Sequence, residues 1–348
     1  MPRRNSDPGD RLAKLSATLE GARSLLIVLQ NNPDPDAIAA AMALREIANE
    51  LHGIACSVAH GGTVGRAENK ALVRYLGLNT RALDTVEVER FDRVAMVDAQ
   101  PGAGNVELDP SARVDIVIDH HPIRRETRSA KYTDVRRHYG ATSTILFEYL
   151  IAAGIDITPP LATALLYGIR SDTQDLGRER TKADVAAFVH LYPLANARVL
   201  GQIVTAPVPR NHFAMLRRAL DNAVIHGTRM VSYLGQVETP EIVAEAADLL
   251  LRVEGATWSM CLGVTNGLLH LSLRSSVREP LAGFVARKLA GRRGTGGGHD
   301  MVAAVQIPLL AEEVESPRRL DRLVRAAVLR FLRATGAANE PGLPLCEE

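Results

Sequence analysis

Three short stretches constrain the fold of this chain most: "SLLIVLQNNPDPD" (Ser24–Asp36), "RVAMVDAQ" (Arg93–Gln100) and "VDIVIDHHP" (Val114–Pro122). Each opens on an apolar run too short for a helix and then passes directly into acids or histidines. A strand buried on one face alternates apolar and polar residues. A run that is apolar throughout is buried on both faces, as in parallel sheets covered on each side. Between and after these runs lie segments with helical spacing, among them "DAIAAAMALREIANEL", "GATSTILFEYLIAAG" and "PLATALLYGIRSDT". Asp36 stands in an N-cap-like position at the start of the first of these. Strands alternating with helices define the α/β class, with a doubly wound, mostly parallel sheet.

The second half reads differently. From Leu191 to Asn211 the periodicity loosens around Pro193, Pro207 and Pro209, as in a linker. "AVIHGTRMVSYLG" has the form of a hairpin, and "TWSMCLGVTNGLLHLSLRSS" reads as two strands joined at Asn266-Gly267, a favourable tight turn. "PLAGFVARKLAG" is a helix, followed by "RRGTGGGHDMVAAVQIPL". The expected division is a larger α/β domain over 1–192, a linker over 193–212, a smaller α+β domain over 213–335 and a flexible tail over 336–348.

In an open parallel sheet the C-terminal ends of the strands share one edge, and the loops there form the binding crevice. Asp34, Asp36, Asp98, Asp119, His120 and His121 all follow strand ends and gather on that rim. Asp172, in the helix ending "GIRSDT", joins them. Crowded carboxylates repel one another unless something positive sits between them, and a divalent cation is the economical answer. Carboxylates with one or two imidazoles suit manganese or magnesium better than a thiolate-seeking ion. Two ions roughly 3.5–4 Å apart activate water and neutralise charge on a phosphoryl oxygen. Singly, Asp36 is an N-cap, Asp98 a loop acid and the His-His pair structural. Together on one rim they point to metal.

The ordered set "NNPDPDAIAAA", "VDAQ", "IDHHP", "GATSTI" and "GIRSDT" resembles the DHH phosphoesterase superfamily over most of the chain. The layout is closest to its RecJ-like, oligoribonuclease and nucleotide-phosphatase branch. "GTGGGHDMVAA" looks like the C-terminal domain that accompanies this family. The resemblance implies two divalent cations, Mn2+ ahead of Mg2+ or Co2+. Asp34 and Asp98 would hold the first, and Asp36, Asp98, His120 and Asp172 the second. His121 would face the phosphate, as hydrogen-bond donor or as proton donor to the leaving group, and Asp119 would orient His120. Gly296, Gly297, Gly298 and His299 would bind substrate across a cleft between the domains. Arg274, in "LSLRSS", is a candidate phosphate clamp because guanidinium matches phosphate oxygens in pairs. Gln30 departs from the pattern: the family usually has a histidine three residues before Pro33, and an amide oxygen is a poorer donor.

Hydrophobic residues make up 46%, charged residues 23%, and the formal net charge is +1. That balance disfavours a protein that grips long polyanions through many phosphate contacts. Aromatics at 4% provide few stacking platforms for a long single strand. The N-terminal "MPRRNSDPGDRL" lacks the apolar core of a signal peptide, and no stretch approaches the roughly 18 apolar residues of a membrane span. Cys56, Cys261 and Cys346 form no disulfide or zinc pattern. The expectation is a cytoplasmic metal-dependent phosphoesterase acting on short single-stranded oligoribonucleotides or small nucleotides, such as nucleoside 3′,5′-bisphosphates and dinucleotides. Its rivals are a polyphosphate or pyrophosphate hydrolase and a nucleotide-binding sensor weakened at Gln30. No membrane partner is expected, and a homodimer is admissible.

Overall fold

The computed structural model describes residues 7–177, 180–277, 279–298 and 301–346. The chain divides into two compact units, Met1–Pro207 and Val208–Glu348. The first contains α1 (Pro8–Leu19), β1 (Ser24–Leu29), α2 (Pro35–His52), β2 (Ala55–His60), α3 (Ala67–Leu76) and β3 (Thr80–Ala82). It continues with β4 (Arg93–Val97), β5 (Ile116–Asp119), β6 (Tyr132–Val135), α4 (Thr142–Ala153), α5 (Pro159–Thr173), α6 (Lys182–Leu191) and α7 (Ala197–Val204).

Its six strands are all parallel, in the order β3-β2-β1-β4-β5-β6. The direction of winding therefore reverses between β1 and β4, the doubly wound arrangement. Right-handed crossovers from that point send the β1–β2 and β2–β3 connections to one face, and β4–β5 and β5–β6 to the other. Leu25, Ile27 and Leu29 accordingly join the helical core built on α1, α2, α4 and α5. Leu26 and Val28 point the other way, to Val94, Met96, Leu83 and Val86. That second face is covered by 3-10 turns at Leu83–Thr85 and Val88–Arg90 and by residues following β4, including Val106 and Leu108. Burial on both sides is why β1 is apolar at every position but its first.

Two edge strands escape a search for apolar runs. β3 is three residues long, and β6 reads "YTDV". Asp134 of β6 is buried because Tyr149, Arg136 and Arg11 all bond its carboxylate.

The segment 193–212 is not the expected linker. It contains α7, whose Leu200 and Ile203 are buried in the core of the first unit, and the division falls after Pro207. Proline interrupts helices here without unpacking the chain.

The second unit contains α8 (Arg210–Asp221), β7 (Val224–His226), β8 (Arg229–Gln236), α9 (Glu241–Leu250), β9 (Trp258–Thr265), β10 (Leu268–Ser275) and α10 (Ala282–Ala290). β11 (Thr295–Gly298), β12 (Val302–Pro308), α11 (Ala311–Glu315), α12 (Pro317–Ala334) and β13 (Gly342–Pro344) follow. Its strands run β11-β12-β10-β9-β8-β7-β13, antiparallel except between β8 and β9. Asn266 and Gly267 both take left-handed φ, 51° and 71°, as the β9–β10 turn requires. One face packs on α10 and α12 around Trp258 and Phe331, the other on α8 and α9. The expected flexible tail is partly structured: Gly342–Pro344 pairs with β7, and the Leu345 amide donates to the Ala223 carbonyl.

Candidate metal centre

The reversal between β1 and β4 leaves a crevice at the C-terminal ends of those strands, and the acids fall there. Asp34, and not Asp36, caps α2, because Pro35 takes the first helical position and the Asp34 Oδ1 accepts the Ala37 amide at 2.9 Å. Asp36 is thereby placed within the first turn, fully buried. Its two oxygens accept the amides of Thr142 (2.7 Å) and Ser143 (2.8 Å), the first residues of α4. A carboxylate complements the partial positive charge of a helix N-terminus.

Asp98 follows β4 with a left-handed φ of 54°. Thr142 Oγ1 donates to its Oδ1 at 2.9 Å, while its Oδ2 is buried with no hydrogen-bond partner. His120 follows β5. Its Nδ1 lies 3.1 Å from the Tyr139 carbonyl, which can only accept, so Nδ1 carries hydrogen there. Nε2 is left 3.2 Å from Asp172 Oδ2 and 3.5 Å from Asp98 Oδ1. Asp172 comes from the last turn of α5. That helix lies tight on α2 because residue 168 is glycine: a Cβ there would stand 3.2 Å from Asp36 Cα and 2.6 Å from Ser143 Oγ.

Asp119 does not orient His120 as expected. Its Oδ1 accepts His121 Nδ1–H at 2.7 Å and the amides of His120 (2.7 Å) and His121 (3.1 Å), and its Oδ2 accepts Gln100 Nε2–H at 2.6 Å. Asp119 therefore sets the ring of His121, and the carbonyl of Tyr139 sets that of His120. The two residues share one strand end, and only the side-chain directions separate their roles.

The electrostatics are those of a site short of positive charge. Burial and the neighbouring Asp172 push Asp34 up to about 6 and Asp36 up to about 7. Burial and repulsion from Asp36, Asp34, Asp172 and Asp119 push Asp98 well above the carboxylate range. Asp119 is held at about 2, because the charge and hydrogen bonds of His121 outweigh its burial. His120 is driven up to about 10 by Asp172 and the other acids, against its own burial. A proton on His120 thus stands in for a cation. One ligand atom each from Asp36, His120 and Asp172 lie within 4.8 Å of one another, and Asp98, Asp119, His120 and His121 form a second group of that size sharing His120. An oxygen-rich set with one imidazole, a buried unpartnered carboxylate oxygen and mutual repulsion fit a hard or borderline divalent cation.

Other expected site residues lie differently. Gln30 Nε2 donates to Asp34 Oδ2 at 2.9 Å, and its Oε1 accepts from Asn105 Nδ2 at 3.0 Å. Arg274 is no available phosphate clamp. It is buried on β10, ion-paired to Asp248 and bonded to Ser272 Oγ at 2.8 Å. Gly296, Gly297 and Gly298 form the edge strand β11 and not an open anion-binding loop. A Cβ at Gly298 would lie 2.2 Å from the Val302 carbonyl oxygen, so close strand pairing accounts for that glycine. His299 lies outside the described residues.

Sequence reasoning missed Thr142, which holds Asp98, Gln100, which holds Asp119, and Gly168, which admits α5. "GATSTI" and "VDAQ" contained the first two, but a hydroxyl or an amide carries no sign of which acid it will meet.

An open α/β sheet with buried acids and a histidine at its switch point has the donor set of a divalent-metal site. The DHH family N-terminal domain matches residues 24–169, and the DHHA1 domain matches residues 226–332. Over 335 residues the chain is 34% identical to an uncharacterised protein of Methanocaldococcus jannaschii, covering 95% of this chain and 68% of that one. Over 178 residues it is 26% identical to a probable manganese-dependent inorganic pyrophosphatase of Streptococcus agalactiae, covering 50% of this chain and 57% of the relative. An exopolyphosphatase-related protein from Bacteroides fragilis shares the fold with a TM-score of 0.72 at 14% identity, over 92% of this chain and 97% of its own. Exonuclease RecJ bound to manganese aligns with a TM-score of 0.50 at 16% identity, over 95% of each chain. The protein belongs to the DHH phosphoesterase superfamily and carries a C-terminal DHHA1 domain. No helix among the described residues is long and apolar enough to cross a membrane.

Proposed function

We propose that the protein hydrolyses phosphoester bonds of short oligoribonucleotides or small nucleotides, such as nucleoside 3′,5′-bisphosphates and dinucleotides, with divalent metal, Mn2+ foremost. The observation that supports a metal-dependent reaction most directly is the convergence of Asp98, with its buried unpartnered Oδ2, and Asp172 on His120 Nε2. Asp36, Asp98, His120 and Asp172 would hold the cation. A divalent ion in such a site supplies Lewis-acid charge to a phosphoryl oxygen and acidifies water.

The chain's own residues supply orientation and a proton. With Nδ1–H committed to Asp119, Nε2 is the His121 nitrogen that would meet substrate, on a ring about one third exposed. That nitrogen hydrogen-bonds a phosphate oxygen or hands a proton to the leaving oxygen, while Asp119, held low by its neighbours, stabilises the imidazolium. The short-substrate reading rests on the net charge of +1 and the 4% aromatic content.

A second reading is hydrolysis of inorganic pyrophosphate or polyphosphate, favoured by the likeness to the streptococcal pyrophosphatase over half of the chain. One panel with Mn2+ separates them: a dinucleotide, a short oligoribonucleotide, a nucleoside 3′,5′-bisphosphate, a cyclic dinucleotide, pyrophosphate and polyphosphate. Turnover of the nucleotides above the inorganic substrates is expected. The reverse order would install the second reading, and nucleotide binding without turnover of any substrate would leave a sensor.

A further inference from the structure

Asp34 lies close enough to Asp172 to be raised by its charge, yet it belongs to neither group of convergent ligand atoms among the described residues. Its Oδ1 is occupied as the N-cap of α2. Its Oδ2 faces the Gln30 amide nitrogen at 2.9 Å, a group with hydrogens and no lone pair to offer a cation. The amide is not free to turn over. Gln30 Oε1 accepts from Asn105 Nδ2 at 3.0 Å, so reversing Gln30 alone would bring two NH2 groups face to face. The two loops that carry these residues are braced against each other as well: the Asn31 amide donates to the Asn105 carbonyl at 2.8 Å, and Asn31 Nδ2 donates to Glu107 at 3.0 Å. Asp36 differs. Its oxygens accept the fixed backbone amides of Thr142 and Ser143, and it converges with His120 and Asp172 within 4.8 Å.

Resting on the metal-dependent reading above, we propose that the resting protein holds one divalent cation, at Asp36, Asp98, His120 and Asp172, and that the Gln30–Asn105 pair closes a second position beside Asp34. A second ion then enters only with substrate phosphate, which brings the oxygens the chain does not supply. Gln30 is thus a determinant of metal stoichiometry, whatever the substrate.

The test is a Mn2+ titration of the full chain without substrate, read by bound-metal stoichiometry and electron paramagnetic resonance. Wild type is expected to take up one tight equivalent with the spectrum of an isolated ion. Gln30→His replaces the amide by an imidazole lone pair and should take up a second equivalent with an exchange-coupled spectrum. Asp172→Asn should weaken the single wild-type ion by at least about tenfold. Circular dichroism establishes that each variant is folded. Two tight, coupled ions in wild type overturn the inference and leave the phosphoesterase reading intact. A folded Gln30→His that still binds one ion overturns the role of Gln30. Binding of no ion by wild type overturns the metal reading and this inference together.

Discussion

Gly168 and Asp36 meet across the α5–α2 contact so closely that a methyl group at residue 168 would stand 3.2 Å from the Asp36 Cα. One turn further along α5, Asp172 reaches His120. The spacing between the two acids that flank His120 is therefore set by the absence of a side chain at position 168.

Gly168→Ala is expected to force α5 outward, because Asp36 Cα and Ala39 Cβ, at 3.2 and 3.3 Å, are parts of packed helices that do not yield easily. Overpacking of this kind costs about 1–3 kcal/mol. The melting temperature should fall, and Mn2+ affinity should fall with it as Asp172 withdraws. A variant that melts and binds Mn2+ like wild type would show that the helices have room.

Stability of the chelated protein should fall as pH rises. Asp34 and Asp36 lie near 6 and 7 when folded, against an ordinary 3.8, so the folded state binds more protons than the unfolded state across that window. A raised carboxyl pKa favours folding fully below about pH 4, and that contribution is lost as pH climbs through 7. Denaturant melts between pH 4 and 8 in EDTA should slope downward. Added Mn2+ should flatten the slope, because the cation replaces the protons. A rise in metal-free stability over the same range contradicts the charge balance described here.

Asp119→Asn should lower kcat by on the order of 100-fold while changing Mn2+ affinity little. The amide at that position either withdraws an acceptor from His121 Nδ1–H or sets an NH2 against Gln100 Nε2, which now donates at 2.6 Å. The measurement is a pH profile of kcat beside a metal titration. Loss of metal with kcat largely retained would return Asp119 to the role of aligning His120.

Arg274→Ala should destabilise the second unit and spare substrate affinity. Its guanidinium bonds Asp248, Ser272 and the Leu273 carbonyl. Asp248 is part-exposed and screened by water, so the loss should be about 1–2 kcal/mol. KM for a nucleotide substrate should stay within about twofold of wild type. A large rise in KM with an unchanged melting temperature would restore the clamp.

How far the site was legible depended on where each group sits. Asp98, Asp119, His120 and Asp172 follow hydrophobic runs or a helical repeat, and periodicity marks the ends of such elements. Asp134 and Tyr132 were invisible because β6 is a short edge strand whose buried acid is neutralised by groups distant in sequence, Arg11 among them. Arg274 was misread for a related reason: a strand arginine looks alike whether it awaits a phosphate or has a carboxylate on the adjoining helix.

From residues alone came the α/β class, the parallel order implied by doubly buried strands, the rim on which the acids gather and the membership of the family. These follow from local rules, since strand burial, helix spacing and loop placement are written over a few consecutive positions. Tertiary structure decided which histidine Asp119 holds, that Gln30 turns its amide nitrogen to Asp34 under the hold of Asn105, and that α5 comes near enough for Asp172 to reach His120. Those outcomes depend on side chains dozens of positions apart competing for the same few ångströms, and no local pattern records who wins.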